Sequence, residues 1–136
     1  MTSERPVAPA VLLVVDDDRH SRELEQAILE PAGYQVLWAS NGPLAIGMIE
    51  TGTPLDLLIA DLSMPEMNGV EMVRQIRGTR PDLKVLYVTG HIDMLIDVQP
   101  LGKNEAFLEK PFTYRGLREA VSLLLYGTVT KSPATE

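Results

Sequence analysis

The chain has 136 residues and a mass of 15.0 kDa, which suits one domain with little left over. It carries 12 Lys and Arg residues against 19 Asp and Glu residues, a formal charge of −7, which argues against direct binding to nucleic acid or anionic lipid. Because it has no cysteine and no apolar run of about 18 residues, disulfides, thiolate chemistry and membrane insertion are not predicted.

Five short apolar runs predict β-strands. Most are nearly continuously apolar rather than alternating, which is typical of parallel strands that are covered on both faces. In chain order the predicted strands are Val11–Val15, Gln35–Ser40, Leu55–Ala60, Lys84–Thr89 and Glu105–Leu108.

Stretches of helical periodicity lie after the strands. Asp18 and Thr113 are the predicted N-caps of the first and the last helix, and Pro43 begins the second. A weaker helical stretch, His91–Val98, is cut short by a proline and a glycine. The predicted core positions of the four clear helices are Leu24, Ala27, Ile28 and Pro31, then Ala45, Met48 and Ile49, then Gly69, Met72, Val73 and Ile76, and finally Leu117, Ala120, Val121 and Leu124.

Alternation of short strands and helices predicts an α/β domain, with a parallel sheet, right-handed crossovers and helices on both faces. The domain is expected over residues 9–126. Residues 1–8 are read as a flexible arm without a signal peptide, and residues 127–136 as a flexible tail. A cytoplasmic location is the expectation.

Polar residues cluster where the predicted strands end. Three consecutive aspartates, at positions 16 to 18, follow the first strand, and Asp61 follows the third. The fourth strand ends in Thr89, and Lys110 follows the fifth. Because ligands of an open parallel sheet bind beyond the carboxyl ends of its strands, these side chains are expected to share one edge.

Such a group of side chains indicates phosphoryl chemistry. Carboxylates that converge need a counter-charge, and oxygen ligands without His or Cys favour a hard cation, Mg²⁺ or its substitute Mn²⁺. A lysine and a hydroxyl suit the oxygens of a phosphoryl group. The pattern therefore predicts a carboxylate that accepts a phosphoryl group while Mg²⁺ and Lys110 neutralise charge.

Four segments, VVDDDRHSR, LLIADLSMPEMNG, VLYVTG and AFLEKPF, resemble the receiver domain of two-component response regulators. They occur in the order of that family, and the resemblance runs from Pro9 to Tyr126. It implies a doubly wound (βα)5 sandwich of the flavodoxin-like type, with strand order 2-1-3-4-5.

The resemblance also implies a role for each motif residue. Asp61 would be the phosphoacceptor. Asp17 would bind Mg²⁺ directly and Asp16 largely through water. Asp61 and the backbone carbonyl of Ser63 would complete the protein's share of the metal site.

Three further roles follow from the same resemblance. Lys110 would pair with the phosphoryl group, from a cis peptide bond to Pro111. Thr89 would bind a phosphoryl oxygen after transfer, and Phe107 would swing inward behind it. The donor would be a phosphohistidine on a sensor histidine kinase or a phosphotransfer protein, and the output would pass to an unidentified downstream protein. Such a chain catalyses only its own phosphorylation and dephosphorylation and is not otherwise an enzyme.

Two alternatives stay open at this point. The Asp-x-Asp spacing of Asp16 and Asp18 resembles the haloacid-dehalogenase family, where Asp16 would be the nucleophile and Asp18 the acid/base. That hypothesis leaves Asp61 unexplained. The third possibility is a protein-binding module that keeps the receiver fold and is never phosphorylated.

Overall fold

The computed structural model describes residues 8–91, 93–94 and 101–127. Within them, five parallel strands form one sheet in the order β2-β1-β3-β4-β5, which confirms the doubly wound, flavodoxin-like prediction. The strands are β1 (Val11–Val15), β2 (Gln35–Ala39), β3 (Leu57–Asp61), β4 (Lys84–Thr89) and β5 (Glu105–Glu109).

The inner strands of the sheet are buried on both faces, as their apolar runs predicted. All five residues of β3 are buried, and β1 and β4 each have only their first residue partly exposed. β2 and β5 form the two edges of the sheet and are only partly buried. The third strand begins two residues later than predicted, at Leu57, where pairing with β1 begins, and it includes Asp61.

In the part of the chain that the structure describes, four helices cover the sheet: α1 (Arg19–Leu29), α2 (Gly42–Glu50), α3 (Gly69–Arg77) and α4 (Tyr114–Tyr126). Asp18 and Thr113 cap α1 and α4 as predicted, and Asn41 and Asn68 cap the other two. Each of these side chains accepts a hydrogen bond from an amide in the first turn of its helix. None of the helices described is long and apolar enough to cross a membrane.

Some sequence predictions fall outside the described residues. Of the weak helical stretch His91–Val98, the structure describes only residues 91, 93 and 94. Of the predicted arm and tail, only Ala8 and Gly127 are described.

Two apolar layers hold the helices against the sheet. The first packs α2 and α3 against one face, and the second packs α1 and α4 against the other. The predicted core positions of α2, α3 and α4 are buried or partly buried in these layers, which confirms the stripes read from their sequences.

The predicted stripe of α1 is wrong in part. Leu24 is 43% exposed, and Ala27 and Pro31 are also exposed, whereas Glu25 is buried together with Ile28 and Leu29. The reason lies in polar contacts at the start of the helix. The Arg22 guanidinium donates a hydrogen bond to the Asp16 carbonyl at 2.9 Å, and it stacks on the exposed Trp38 at 4.5 Å. These contacts fix the rotation of α1 about its axis.

Candidate functional site

The acidic pocket consists of Asp16, Asp17, Asp61 and Lys110 at the carboxyl edge of the sheet. β1 and β3 are neighbours, and Val15 pairs with Ala60, so the next residue of each strand is an aspartate at the same level. Carboxylate oxygens of the three aspartates lie within 4.8 Å of one another. Asp16 and Asp61 are buried and Asp17 is exposed, so the pocket opens to solvent on one side.

Lys110 brings the positive charge into the pocket. Its amide donates to the Thr89 carbonyl at 2.8 Å, which prolongs the pairing of β4 and β5, and the Lys110–Pro111 peptide bond is cis as the resemblance implies. The Lys110 Nζ lies 3.1 Å from Asp16 Oδ2 and 3.9 Å from Asp61 Oδ2. One ammonium therefore serves two buried carboxylates.

Two carboxylates on one ammonium leave negative charge uncompensated. Burial, and then the neighbouring Asp16 carboxylate, raise the pKa of Asp61 to about 7, although Lys110 and the Ser63 amide oppose that shift. The Ser63 amide donates to Asp61 Oδ1 at 3.1 Å. Burial alone would lower the pKa of Lys110, but the carboxylates of Asp61 and Asp16 raise it.

The chemistry of this donor set fits a hard divalent cation. All three acidic side chains offer oxygen, no His or Cys belongs to the group, and the charge that lacks a partner is negative. Asp16, Asp17 and Asp61 are therefore the residues that could hold Mg²⁺ or Mn²⁺. The Ser63 amide touches the pocket, and the role of its carbonyl as a ligand stays a prediction.

Thr89 lies at the end of β4 and is fully buried. Its Oγ1 accepts a hydrogen bond from the His91 amide at 2.8 Å and lies 3.3 Å from the His91 carbonyl oxygen, to which it donates. The hydroxyl is thus engaged with the chain that follows β4, and it would have to leave these partners to reach a group on Asp61.

Phe107 lies on β5 directly opposite Tyr87, on the face of the sheet that also carries Thr89. Its side chain is 42% exposed, so it is not packed behind Thr89 in this structure. The inward swing remains a prediction.

Three residues of α1 that lie around the pocket are not predicted from the sequence. Ser21 Oγ lies 3.4 Å from the Lys110 Nζ, Arg22 binds the Asp16 carbonyl, and Glu25 is buried close enough to be influenced by Asp16, Asp61 and Lys110. Ser21, Glu25 and Ile28 share one helical face at intervals of four and three residues. That spacing can be seen in the sequence, but the predicted core face of α1 was the one that contains the apolar Leu24.

We expect the metal-free protein to lose stability as the pH rises from about 5 to about 8. The pKa of Asp61 rises from its ordinary 3.8 to about 7 on folding, and burial raises that of Glu25 from 4.5 to about 8. Over this range the unfolded chain has already lost the two protons that the folded chain still binds, so the free energy of unfolding falls with pH.

The measurement is the melting temperature in EDTA and in Mg²⁺ at both ends of that range. The melting temperature in EDTA should fall by several degrees, and Mg²⁺ should restore most of the loss at the higher pH, because it binds the ionised carboxylates of the folded state. A melting temperature in EDTA that rises with pH would contradict the assignment of both buried acids.

Comparison with known proteins agrees with this geometry. The family model of the response regulator receiver domain matches residues 12–122. The chain is 37% identical over 124 residues to the response regulator MprA of Mycobacterium tuberculosis. The aligned residues make up 90% of this chain and 54% of MprA. It is 33% identical over 115 residues to the response regulator receiver protein CpdR of Brucella abortus. The aligned residues make up 84% of this chain and 95% of CpdR. The chain thus spans about half the length of MprA and nearly all of CpdR.

Among solved structures, the chemotaxis protein CheY4 of Vibrio cholerae superposes with a TM-score of 0.79 and 28% sequence identity. The superposition covers 87% of this chain and all of the CheY4 chain. Fold, pocket and comparisons agree, and the chain belongs to the response regulator receiver family as a receiver domain of two-component signalling.

Proposed function

We propose that Asp61 accepts a phosphoryl group with the help of Mg²⁺, and that the chain relays or switches a signal through the change that follows. The observation that carries the proposal is the convergence of three carboxylates and the Lys110 ammonium at one edge of the sheet. A binding module that works through its surface alone would not need this costly arrangement of buried charge.

The transfer needs an ionised Asp61. One of its oxygens attacks the phosphorus of a phosphohistidine, a P–O bond forms, the P–N bond breaks, and the imidazole leaves with the bonding electron pair. Asp16, Asp17, Asp61 and the Ser63 carbonyl would hold the divalent cation, which would supply positive charge against the phosphoryl oxygens. Lys110 is close enough to Asp61 to neutralise a further oxygen.

The switch would use Thr89. A phosphoryl group on Asp61 offers new acceptor oxygens, and the Thr89 hydroxyl would exchange its bonds with His91 for a bond to one of them. That movement would vacate space at the end of β4, and Phe107, which is now 42% exposed, would turn inward to fill it. The result is a shift between two packings of the β4–β5 edge.

The partners follow from this chemistry. The phosphoryl donor would be a sensor histidine kinase or a phosphotransfer protein in the cytoplasm. The output would pass to another protein rather than to nucleic acid, an expectation supported by the formal charge of −7.

No feature of the described residues favours the haloacid-dehalogenase alternative. Asp18 would be the acid/base in that alternative. It caps α1 and accepts hydrogen bonds from the His20 amide and the Ser21 hydroxyl. It is not part of the carboxylate cluster.

Incubation with acetyl phosphate tests the proposal. We expect intact-protein mass spectrometry to show one phosphoryl group per chain, lost on treatment with hydroxylamine and absent when EDTA removes the metal. If the protein acquires no label and binds no beryllofluoride in Mg²⁺, the pocket is not a phosphoacceptor and the proposal is wrong.

A further inference from the structure

Arg22 joins the backbone of the acidic pocket to the one tryptophan of the sequence. Its Nη1 donates a hydrogen bond to the backbone carbonyl of Asp16 at 2.9 Å, and its Cζ lies 4.5 Å from the centroid of the Trp38 ring. A planar guanidinium can make both contacts at once, because it donates hydrogen bonds from its edge and stacks through its face. The two contacts together restrict both the position and the tilt of the guanidinium.

The Asp16 carbonyl belongs to the peptide bond that leads into Asp17. Asp17 is the exposed member of the carboxylate cluster, and among the described residues no side-chain hydrogen bond or ion pair holds its carboxylate. The direction of that carboxylate therefore depends on the backbone that carries it. Two further hydrogen bonds hold this backbone. The Asp16 amide donates to the Ala39 carbonyl at 3.3 Å, and the Asp18 amide donates to Asp16 Oδ1 at 2.9 Å.

Trp38 lies on the edge strand β2, and its side chain is 52% exposed. It pairs with Val14 of β1, so it lies two residues before the level of Asp16 and is not part of the carboxylate cluster. A tryptophan that leaves half of its side chain in water gains less free energy from burial than one in the core. What its ring supplies here is a flat surface for the Arg22 guanidinium, within reach of the pocket backbone.

We propose that Arg22 is a positioning residue of the metal site. Its hydrogen bond holds the peptide between Asp16 and Asp17, so that the Asp17 carboxylate stays within the cluster, and the Trp38 ring holds the guanidinium in place. The inference rests on the proposed function, because the cation in question is the one that phosphoryl transfer needs. Arg22 acts through the backbone, without a contact of its own to the cation or the phosphoryl group.

The charge of Arg22 and its hydrogen bond have opposite effects on a bound cation. A positive charge beside a divalent cation is repulsive, so electrostatics alone predicts that removing Arg22 strengthens Mg²⁺ binding. Positioning predicts that removing Arg22 weakens Mg²⁺ binding, because the Asp17 backbone loses one of its hydrogen bonds. The direction of the change in affinity therefore decides between the two effects.

The test measures the dissociation constant of Mg²⁺ for the full chain by NMR titration of backbone amide signals, without a phosphoryl donor. Arg22→Met keeps a long, unbranched side chain but removes the hydrogen-bond donors and the charge. We expect its Mg²⁺ affinity to fall about fivefold or more, since groups that orient metal ligands commonly contribute on the order of tenfold to affinity. An unchanged or higher affinity would overturn the inference.

Arg19→Met is the matched control. Arg19 lies one helical turn earlier on α1, and its guanidinium pairs with Glu23 at 2.9 Å. The substitution removes the same charge from the same helix but leaves the Asp16 carbonyl bound. Its Mg²⁺ affinity should stay within about twofold of that of the unsubstituted chain, because exposed charges are screened. If Arg19→Met loses as much affinity as Arg22→Met, the hydrogen bond to the carbonyl is not the cause and the inference is wrong.

Two substitutions of Trp38 test the support of Arg22 without touching the pocket. Phenylalanine keeps a ring face for the guanidinium, whereas leucine keeps only apolar surface. We expect Trp38→Leu to weaken Mg²⁺ binding about twofold to fivefold, the effect of losing an exposed cation–π contact, and Trp38→Phe to weaken it less. Equal affinities for these two variants would overturn the role of the ring.

The melting temperature in EDTA separates positioning from folding. A variant that melts within a few degrees of the unsubstituted chain and binds Mg²⁺ weakly has lost the position of a ligand rather than its fold. If Arg22→Met does not fold, the Trp38 variants, which change an exposed position, decide the inference.

The same titration keeps this inference apart from the proposed function. An unsubstituted chain that binds no Mg²⁺ would overturn both. An unsubstituted chain that binds Mg²⁺ but acquires no phosphoryl group would count against the proposed function alone, and the affinities of the variants would still decide the role of Arg22.

Discussion

Replacing Asp61 with asparagine is expected to abolish phosphoryl labelling of the chain. The amide keeps the size of the side chain but offers no anionic oxygen to attack phosphorus, and it removes one of the three carboxylates of the metal site. No other carboxylate of the pocket is expected to take over, because Asp16 is held by Lys110 and by the Asp18 amide. The measurement is intact mass after incubation with acetyl phosphate and Mg²⁺.

Unfolding would also abolish labelling, and the stability of the Asp61→Asn variant separates the two causes. The introduced amide carries no charge, so the buried repulsion with Asp16 disappears, and the metal-free variant should melt at a higher temperature than the unsubstituted chain at about pH 8. A variant that is stabilised and unlabelled has lost its acceptor rather than its fold.

Asp18→Asn is the matched control for the acceptor. Asparagine caps a helix about as well as aspartate, and Asp18 lies outside the carboxylate cluster, so labelling should continue near the unsubstituted rate. If Asp61→Asn keeps its label, the acceptor is another residue, and the phosphatase hypothesis, with Asp16 as the nucleophile, regains its place.

The sequence predicted the sheet and the pocket because both depend on strong local signals. β1, β3 and β4 are inner strands, and their nearly continuous apolar runs are typical of strands that are covered on both faces. Once the strands are parallel, their carboxyl ends must share an edge, so Asp16, Asp61 and Lys110 could be placed together without knowing a single distance.

The rotation of α1 could not be predicted in the same way. Periodicity assigns apolar residues to the core, and it therefore chose Leu24 over Glu25. The observed rotation depends on contacts between distant segments, namely Arg22 with the Asp16 carbonyl and Ser21 with Lys110. The free energy of these contacts exceeds that of burying Leu24, and a hydropathy pattern does not predict them. The motif identified Thr89, but it did not predict the hydrogen bonds of Thr89 to His91. These bonds belong to one of the two states expected of the switch, and only the structure shows which state that is.

Replacing Gly69 with alanine is expected to destabilise the fold and to disturb the pocket at the same time. Gly69 begins α3, and its amide donates to the Leu62 carbonyl at 3.1 Å. A Cβ at this position would collide with the backbone carbonyl oxygen of Asp61 and lie 3.1 Å from the Leu62 Cα. Backbone atoms of a buried strand cannot turn aside as a flexible side chain can, so the start of α3 would have to move away from the end of β3.

We expect Gly69→Ala to cost about 1–3 kcal/mol of unfolding free energy, the usual range for overpacking. Thermal denaturation in Mg²⁺ measures that loss, and the labelling rate of the folded fraction should fall too, because the displaced segment carries Ser63 beside Asp61.

Gly47→Ala is the matched control. Gly47 lies inside α2 with no atom within 4 Å of the added Cβ, so that substitution should stabilise the chain by about 0.5–1 kcal/mol and leave labelling unchanged. If both substitutions stabilise the chain, the close approach of α3 to Asp61 does not constrain the pocket.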